Sequence, residues 1–268
     1  MSLWIDGVVE SRMSALDRGL NYGDGLFETM RLLDRAVRYL DRHLARLAQG
    51  CERLGISRVD FAALNHEIAS IARTLDDGAL KLIVTRGSGP RGYRPAGTER
   101  PTRVLAWSPP RVADASAGTD GVRVRYCSTP ASVNVALAGV KHLNRLDCVL
   151  ARSEWSDADI AEGLMRDSQG AIVGGTMSNV FAVRGETIVT PRIDRAGVKG
   201  IMRGIVIEAA HGAGLVVEEQ VLTAAHLAAA HELFLTNALI GIWPVRALEN
   251  RQLKPGPVTR RLQHMCSA

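Results

Sequence analysis

The chain has 268 residues, 46% hydrophobic and 23% charged, with a formal net charge of +5. That length suffices for one large domain or two modest ones, each with its own core. The composition is that of a globular enzyme, and no apolar run approaches a membrane span. The arginines behind the positive charge are scattered, which argues against a nucleic-acid tail and suits anionic small ligands that guanidinium binds bidentately.

No signal-peptide pattern opens the chain, so a cytoplasmic protein is expected. Cys51, Cys127, Cys148 and Cys266 lie far apart and read as reduced thiols, and the seven histidines have no metal-ligand spacing, so no metal site is expected.

Leu3-Trp4-Ile5 reads as a strand ending in an Asp6-Gly7 turn. Ser14 to Gly25 reads as a polar loop closed by Tyr22-Gly-Asp-Gly25. Leu26 to Leu33 and Ala36 to Leu40 form a hairpin about Asp34-Arg35. From Asp41 the period becomes helical, with Leu44, Leu47, Ala48, Cys51 and Leu54 on one stripe and Gly55 as its stop. Arg46 lies off the centre of that stripe. A second helix spans Asp60 to Leu75, and Leu80 to Thr85 is a strand.

Arg86-Gly-Ser-Gly-Pro-Arg-Gly-Tyr93 follows. Its glycines match G-x-G-x-x-G, but that motif must open a helix, and Pro90 and Pro95 forbid one. The stretch reads instead as a rigid loop presenting Arg86, Arg91 and Tyr93 to a carboxylate, or as a surface loop with incidental arginines. Arg103 to Trp107 is a further strand. Ser108 to Gly121 is rich in Pro, Gly, Ser and Ala and marks a boundary. It divides the chain into a smaller domain over 1–112, a linker over 113–121 and a larger domain over 122–268.

The larger domain opens with a strand, Val122 to Cys127. Lys141 then precedes an apolar helical pattern (Leu143, Leu146, Val149, Leu150) that runs from Asn144, read as an N-cap, to Trp155. A lysine at the edge of a buried stretch is desolvated, and a neutral amine is a nucleophile and Schiff-base former. Taken alone, a lysine with its stem on the core and its head in water is the commoner case. Hairpins follow about Asp167-Ser-Gln-Gly170 and Arg184-Gly-Glu186, separated by Gly174–Asn179, a stretch too small and polar for a core strand. A helix over Val198 to Ala210 is entered through Lys199-Gly200-Ile201-Met202-Arg203, where backbone N–H groups can face an anion. Val216-Val217, a helix over Thr223 to Ala230, strands at Glu232 to Leu235 and Trp243 to Val245, and a final helix entered at Pro257 complete the chain.

Tyr22-Gly-Asp-Gly-Leu-Phe-Glu28, His43-Leu-Ala-Arg46-Leu, the Arg86–Tyr93 loop, Lys141 before Asn144-Arg-Leu146, Gly200-Ile-Met-Arg203 and Thr236-Asn-Ala-Leu…Pro244-Val occur in one order. Together they resemble the fold-type IV pyridoxal-phosphate enzymes, which include branched-chain and D-amino-acid aminotransferases and aminodeoxychorismate lyase. The resemblance implies a mixed α/β (α+β) fold of two domains with the cofactor at their interface, and a homodimer. It implies pyridoxal 5'-phosphate held through a Schiff base to Lys141. Arg46, Asn179, the Ile201 and Met202 amides and the Asn237-Ala238 turn would complete the cofactor site, and Arg86, Arg91 and Tyr93 would bind substrate carboxylate.

Gly139–Leu146 and the Arg86–Tyr93 loop are most similar to the lyase branch, which releases 4-aminobenzoate and pyruvate for folate synthesis. The family's glutamate partner of the pyridine nitrogen falls here at Gly174. Glu162 and Glu186 are the candidate replacements. An aminotransferase on the same cofactor, and a degenerate member that binds without turnover, stand as alternatives.

Overall fold

The computed structural model describes residues 2–110 and 116–266. They form two compact units, residues 2–110 with 140–144, and residues 116–139 with 145–266. The expected boundary at 112 and the linker residues 113–115 lie outside the described residues.

The first unit contains β1 (Ser2–Ile5), β2 (Val8–Val9), α1 (Arg18–Tyr22), β3 (Gly25–Leu33), β4 (Ala36–Val37), α2 (Leu40–Leu54), α3 (Phe61–Ala72), β5 (Gly78–Thr85) and β6 (Arg103–Ser108). Its sheet runs β2-β1-β6-β5-β3-β4 with antiparallel pairings throughout. Alternation along β3 buries Leu26, Glu28, Met30 and Leu32. Leu26 and Met30 pack with Leu44 and Leu47 of α2, Leu64 and Ile68 of α3, and Leu80 and Leu82 of β5. Each such leucine contributes roughly 1.5–3 kcal/mol by leaving water.

The stretch expected to be a polar loop contains α1. The Asp17 side chain accepts from the Gly19 N–H at its start, and Gly23 closes it at φ 64°, a left-handed conformation that glycine adopts without strain. Five residues carry too little periodicity to announce a helix, but both of its caps stand in the sequence.

Val140–Asn144, expected in the second domain, belongs to the first unit. It lies antiparallel to the start of β3, with Leu26 opposite His142. Phe27 N–H donates to the Lys141 carbonyl and Leu143 N–H to that of Gly25, both at 3.0 Å. The approach requires Gly25: a Cβ there would stand 2.6 Å from the Val84 carbonyl and 2.8 Å from Leu143.

The second unit contains α4 (Ala117–Asp120), which falls within the expected linker, then β7 (Val122–Tyr126), α5 (Leu146–Arg152), β8 (Ile160–Arg166), β9 (Ile172–Gly175), β10 (Asn179–Arg184), β11 (Thr187–Pro191), α6 (Ile201–Gly212), β12 (Val216–Gln220), α7 (Ala224–Ala229), β13 (Glu232–Asn237), β14 (Gly241–Leu248), β15 (Arg251–Gln252) and α8 (Pro257–Cys266). Its sheet runs β12-β11-β10-β13-β14-β7-β8-β9, with β15 against β14. The β11–β12, β14–β7 and β7–β8 pairings are parallel. Val180, Ala182, Leu233, Leu235 and Val245 form one core with Leu164, Ile172 and Leu227. Phe181 and Phe234, register partners on the other face of β10 and β13, stack at 4.8 Å.

Three expectations are corrected here. Gly174 and Gly175, set aside as too small and polar for a core strand, carry the second strand of the Asp167–Gly170 hairpin on to the end of β9, the last strand of the sheet, where a Cβ at either would crowd Ser178. The apolar pattern at α5 is not a buried stripe: Leu146, Val149 and Leu150 are 76%, 56% and 61% exposed, while Ala151 is buried among Cys127, Trp155 and Met165. Nor is Asn144 its N-cap. Arg145 holds that position, and Asn144 donates to the Gly23 carbonyl. Among the described residues no helix is long and apolar enough to cross a membrane.

Candidate functional site

Lys141 is held by its backbone. Its pairing with β3 puts its side chain on the face that carries Phe27, and the ammonium stands 4.2 Å from the Phe27 ring centroid. A cation over an aromatic face is stabilised by the ring quadrupole. The lysine is half-buried.

The other face of β3 carries Glu28, a carboxylate on the apolar parity of the strand. It survives there through α2, one turn of which supplies His43 and Arg46. His43 Nδ1 lies 2.6 Å from Glu28 Oε2, and Arg46 donates Nε and Nη2 to the two carboxylate oxygens. Burial alone would raise the Glu28 pKa, but the hydrogen bonds and charges of His43 and Arg46 outweigh it and hold the group below its ordinary 4.5. Arg46, expected as a phosphate ligand, is thus a fixed cation near the core rather than a solvated surface arginine.

The 86–93 loop is divided in its use of side chains. Arg86 donates Nε and Nη2 to Asp24, Nη1 to the Gly55 carbonyl and Nη2 to that of Leu54. It therefore caps the last carbonyls of α2, where a cation is favoured, and ties them to Asp24. Four of its five N–H donors are engaged in this clamp, so Arg86 differs from Arg91 and Tyr93, whose side chains are exposed. Burial would raise the Asp24 pKa, and Arg86 with Arg18 more than reverses it.

In the second unit, Gly139 bridges Val198, and the Lys199 N–H donates to the Gly139 carbonyl at 3.2 Å. This fixes the approach to α6, whose N-cap, Gly200, offers no side chain to the first-turn amides. Those of Ile201 and Met202 are among the N–H groups a helix leaves without internal partners. A Cβ at Gly200 would stand 2.1 Å from Asn179 Oδ1, so a larger residue there would force one of them to shift. Asn179 in turn donates to the Val198 carbonyl at 3.0 Å. Opposite Asn179 on β13 is Thr236, fully buried, whose hydroxyl has no hydrogen-bond partner. Asn237 Oδ1 accepts from the Leu239 and Ile240 N–H groups, shaping the turn that includes Ala238, and its Nδ2 donates to the Met177 carbonyl. Asn179, the start of α6 and the 237–238 turn are thereby linked through adjacent strands.

Gly174 is built for glycine, with φ +157° and the Ser178 carbonyl 2.9 Å from where a Cβ would sit. Glu162, a candidate replacement for the missing carboxylate, is committed elsewhere. Its oxygens accept from the backbone N–H groups of Gly163, Thr176 and Met177 and from the hydroxyls of Thr176 and Ser178. Glu186 is exposed in the β10–β11 turn, at the opposite end of β10 from Asn179. At the rise of an extended strand that separation is about 17 Å.

Arg18 escaped the sequence reading, while Asp24, His43 and Thr236 stood in the quoted motifs without an assigned role. Glu28 could have been found, since a charged residue on the apolar parity of a strand demands a partner. The cysteines carry no chemistry here. They are free thiols, and burial pushes Cys127 up to about 12 and Cys51 and Cys148 to about 11.

The chain is similar over nearly its whole length to known proteins. A crystal structure of 4-amino-4-deoxychorismate lyase from Pseudomonas aeruginosa superposes with a TM-score of 0.95 at 46% identity, covering 98% of this chain and 97% of that one. Aminodeoxychorismate lyase of Vibrio harveyi is 30% identical, with 97% of each chain covered. A Methanocaldococcus jannaschii protein assigned as a branched-chain-amino-acid aminotransferase is 33% identical, covering 95% of this chain and 90% of that one. Residues 25–248 match the family described as amino-transferase class IV, and the chain belongs to that family.

Proposed function

We propose that this protein is a pyridoxal-phosphate-dependent carbon–oxygen lyase that converts 4-amino-4-deoxychorismate to 4-aminobenzoate and pyruvate. The observation that carries the reading is the seating of Lys141, fixed by its backbone against β3 with its ammonium over Phe27. The 46% identity to a lyase structure over 98% of the chain selects the reaction.

The residues present fit the cofactor. Uncapped amides begin α6, a glycine stands where a Cβ would obstruct, and a buried threonine hydroxyl beside Asn179 lacks a partner. These suit a phosphate group, which prefers backbone N–H groups at a helix N-terminus. In this reading the Ile201 and Met202 amides, Asn179, the Asn237-Ala238 turn and Arg46 hold pyridoxal phosphate, and Lys141 forms the Schiff base. When bound, the cofactor supplies a carbonyl that condenses with amines and a ring that draws electrons from the attached carbon.

Lys141 would take the proton from the amine-bearing ring carbon of the substrate as general base. The enolpyruvyl oxygen leaves from the adjacent carbon with the C–O electron pair, and the ring becomes aromatic. Arg91 and Tyr93 meet a substrate carboxylate, while Arg86 holds the loop's base through Asp24 and α2.

Gly174 suits this reaction. With glycine at 174 the chain would offer no carboxylate there to a protonated pyridine nitrogen, which would favour an elimination driven by aromatisation of the substrate over amino transfer.

The active species is proposed to be a cytoplasmic homodimer. The outward face of α5, with Leu146, Val149 and Leu150 exposed, supports an interface.

The test is a product assay on the purified protein. Release of 4-aminobenzoate and pyruvate from 4-amino-4-deoxychorismate is expected. Amino transfer to a keto acid without 4-aminobenzoate would establish the aminotransferase instead. The purified protein should absorb in the visible, and Lys141→Ala should lose that band together with about 10²–10⁴-fold or more of the rate. A protein that takes up no pyridoxal phosphate would be a degenerate member.

A further inference from the structure

Arg18 is 3% exposed, yet it belongs to none of the sets assigned above. All three of its side-chain nitrogens donate. Nε reaches Asp24 at 2.9 Å, Nη1 the Gly92 carbonyl at 2.8 Å and Nη2 the Tyr93 carbonyl at 2.7 Å. Its backbone N–H also donates to the Gly87 carbonyl, and its stem lies 3.2 Å from where a Cβ of Gly89 would sit. One buried guanidinium therefore underlies the loop from Gly87 to Tyr93.

Tyr22 completes the grip. Its hydroxyl accepts from the Gly92 N–H at 3.0 Å, its ring stands 5.5 Å from that of Tyr93, and Arg18 stacks on it at 4.8 Å. Gly92 is thus held by both its N–H and its carbonyl, at φ +114°, which no other residue adopts readily. On either side of it, Arg91 and Tyr93 project to solvent, Tyr93 at 85% exposure. A buried, charged fork has been committed to the backbone of an exposed loop. A lysine could reach one of these acceptors but not the two carbonyls together, because only a guanidinium presents parallel donors in a rigid plane.

We propose that Arg18 is the positioning residue of this loop: it presets the backbone at Gly92 and Tyr93, and so the spacing at which Arg91 and Tyr93 meet a substrate carboxylate. The inference rests on the assignment of those two side chains to substrate. Removing Arg18 does not orphan Asp24, which keeps both hydrogen bonds from Arg86, so the fold is expected to stand.

The experiment uses Arg18→Met, which keeps the stem and removes the fork, in the holoenzyme. Trypsin cleavage after Arg91 should quicken about fivefold or more as the loop is released. KM for 4-amino-4-deoxychorismate should rise about tenfold with kcat changed less, and Arg18→Lys should recover only part of this. Tyr22→Phe, which loses only the acceptor of Gly92, should move both readouts the same way by less, and it serves if Arg18→Met does not fold. Unchanged cleavage overturns the proposal. Faster cleavage with unchanged KM also overturns it, and if Arg91→Ala then raises KM, the assignment of the loop to substrate survives. If neither Arg91→Ala nor Tyr93→Phe alters KM, that assignment falls and this inference with it.

Discussion

Glu28 shows what a single ion can ask of its neighbours. Its pKa is lowered on folding, so it adds stability above its unfolded value and loses that contribution as pH falls through the folded one. Glu28→Gln cannot titrate. It should cost about 3 kcal/mol at neutral pH, the low end for a broken buried pair because Arg46 keeps some solvent access. As pH falls below 4.5 toward the lowered folded value the wild type loses this contribution, and the gap between the two proteins should close. Urea melts of both across that range check the sign as well as the size. At this scale the sequence was uneven. Lys141 was singled out by its neighbours in the chain order. Arg18 and Asp24 were not, because the carbonyls and guanidinium that Arg18 and Asp24 serve lie some sixty to seventy-five positions away and nothing in local spacing records them.

Among the elements, α6 makes the sharpest demand. Gly200→Ala places a methyl where Asn179 Oδ1 now lies. Either the amide or the helix start must shift, at about 1–3 kcal/mol. Absorbance titration with pyridoxal phosphate should show affinity reduced about tenfold or more, since each 1.4 kcal/mol is a factor of ten. An unchanged titration would mean that this turn does not hold the cofactor. Elements of strong periodicity were readable: α2 by its apolar stripe and Gly55, α3 by Asp60, whose side chain caps Ala63 N–H. The failures share one cause. The pattern at α5 is apolar and helical, but periodicity states only that a face seeks burial, not that the same chain supplies it. β9 was expected only as far as Val173, because Gly174 and Gly175 carry no pattern, while their pairing with β8 depends on backbone alone.

For the whole molecule, the outward face of α5 leads to an assembly prediction. Leu146→Asp with Leu150→Asp puts two carboxylates on a surface whose exposure is now apolar. Light scattering should show a dimer for the wild type and a monomer for the double variant. A dimer in both would place the interface elsewhere. The two-unit plan followed from the Pro/Gly-rich stretch and the resemblance. What the sequence could not reveal is that the first unit is interrupted, because the return of Val140–Asn144 to β3 rests on backbone pairing and on the room left by Gly25.

That interruption also bears on biosynthesis. The ribosome delivers the six strands of the first sheet well before residue 140, so the N–H of Phe27 and the carbonyl of Gly25 wait without their native partners while about thirty further residues are made. A nascent chain halted at residue 110 exposes a sticky, unpaired edge there. Completion of the N-terminal unit is therefore timed by the emergence of the segment that carries Lys141, and the step that closes this edge also sets the lysine in place.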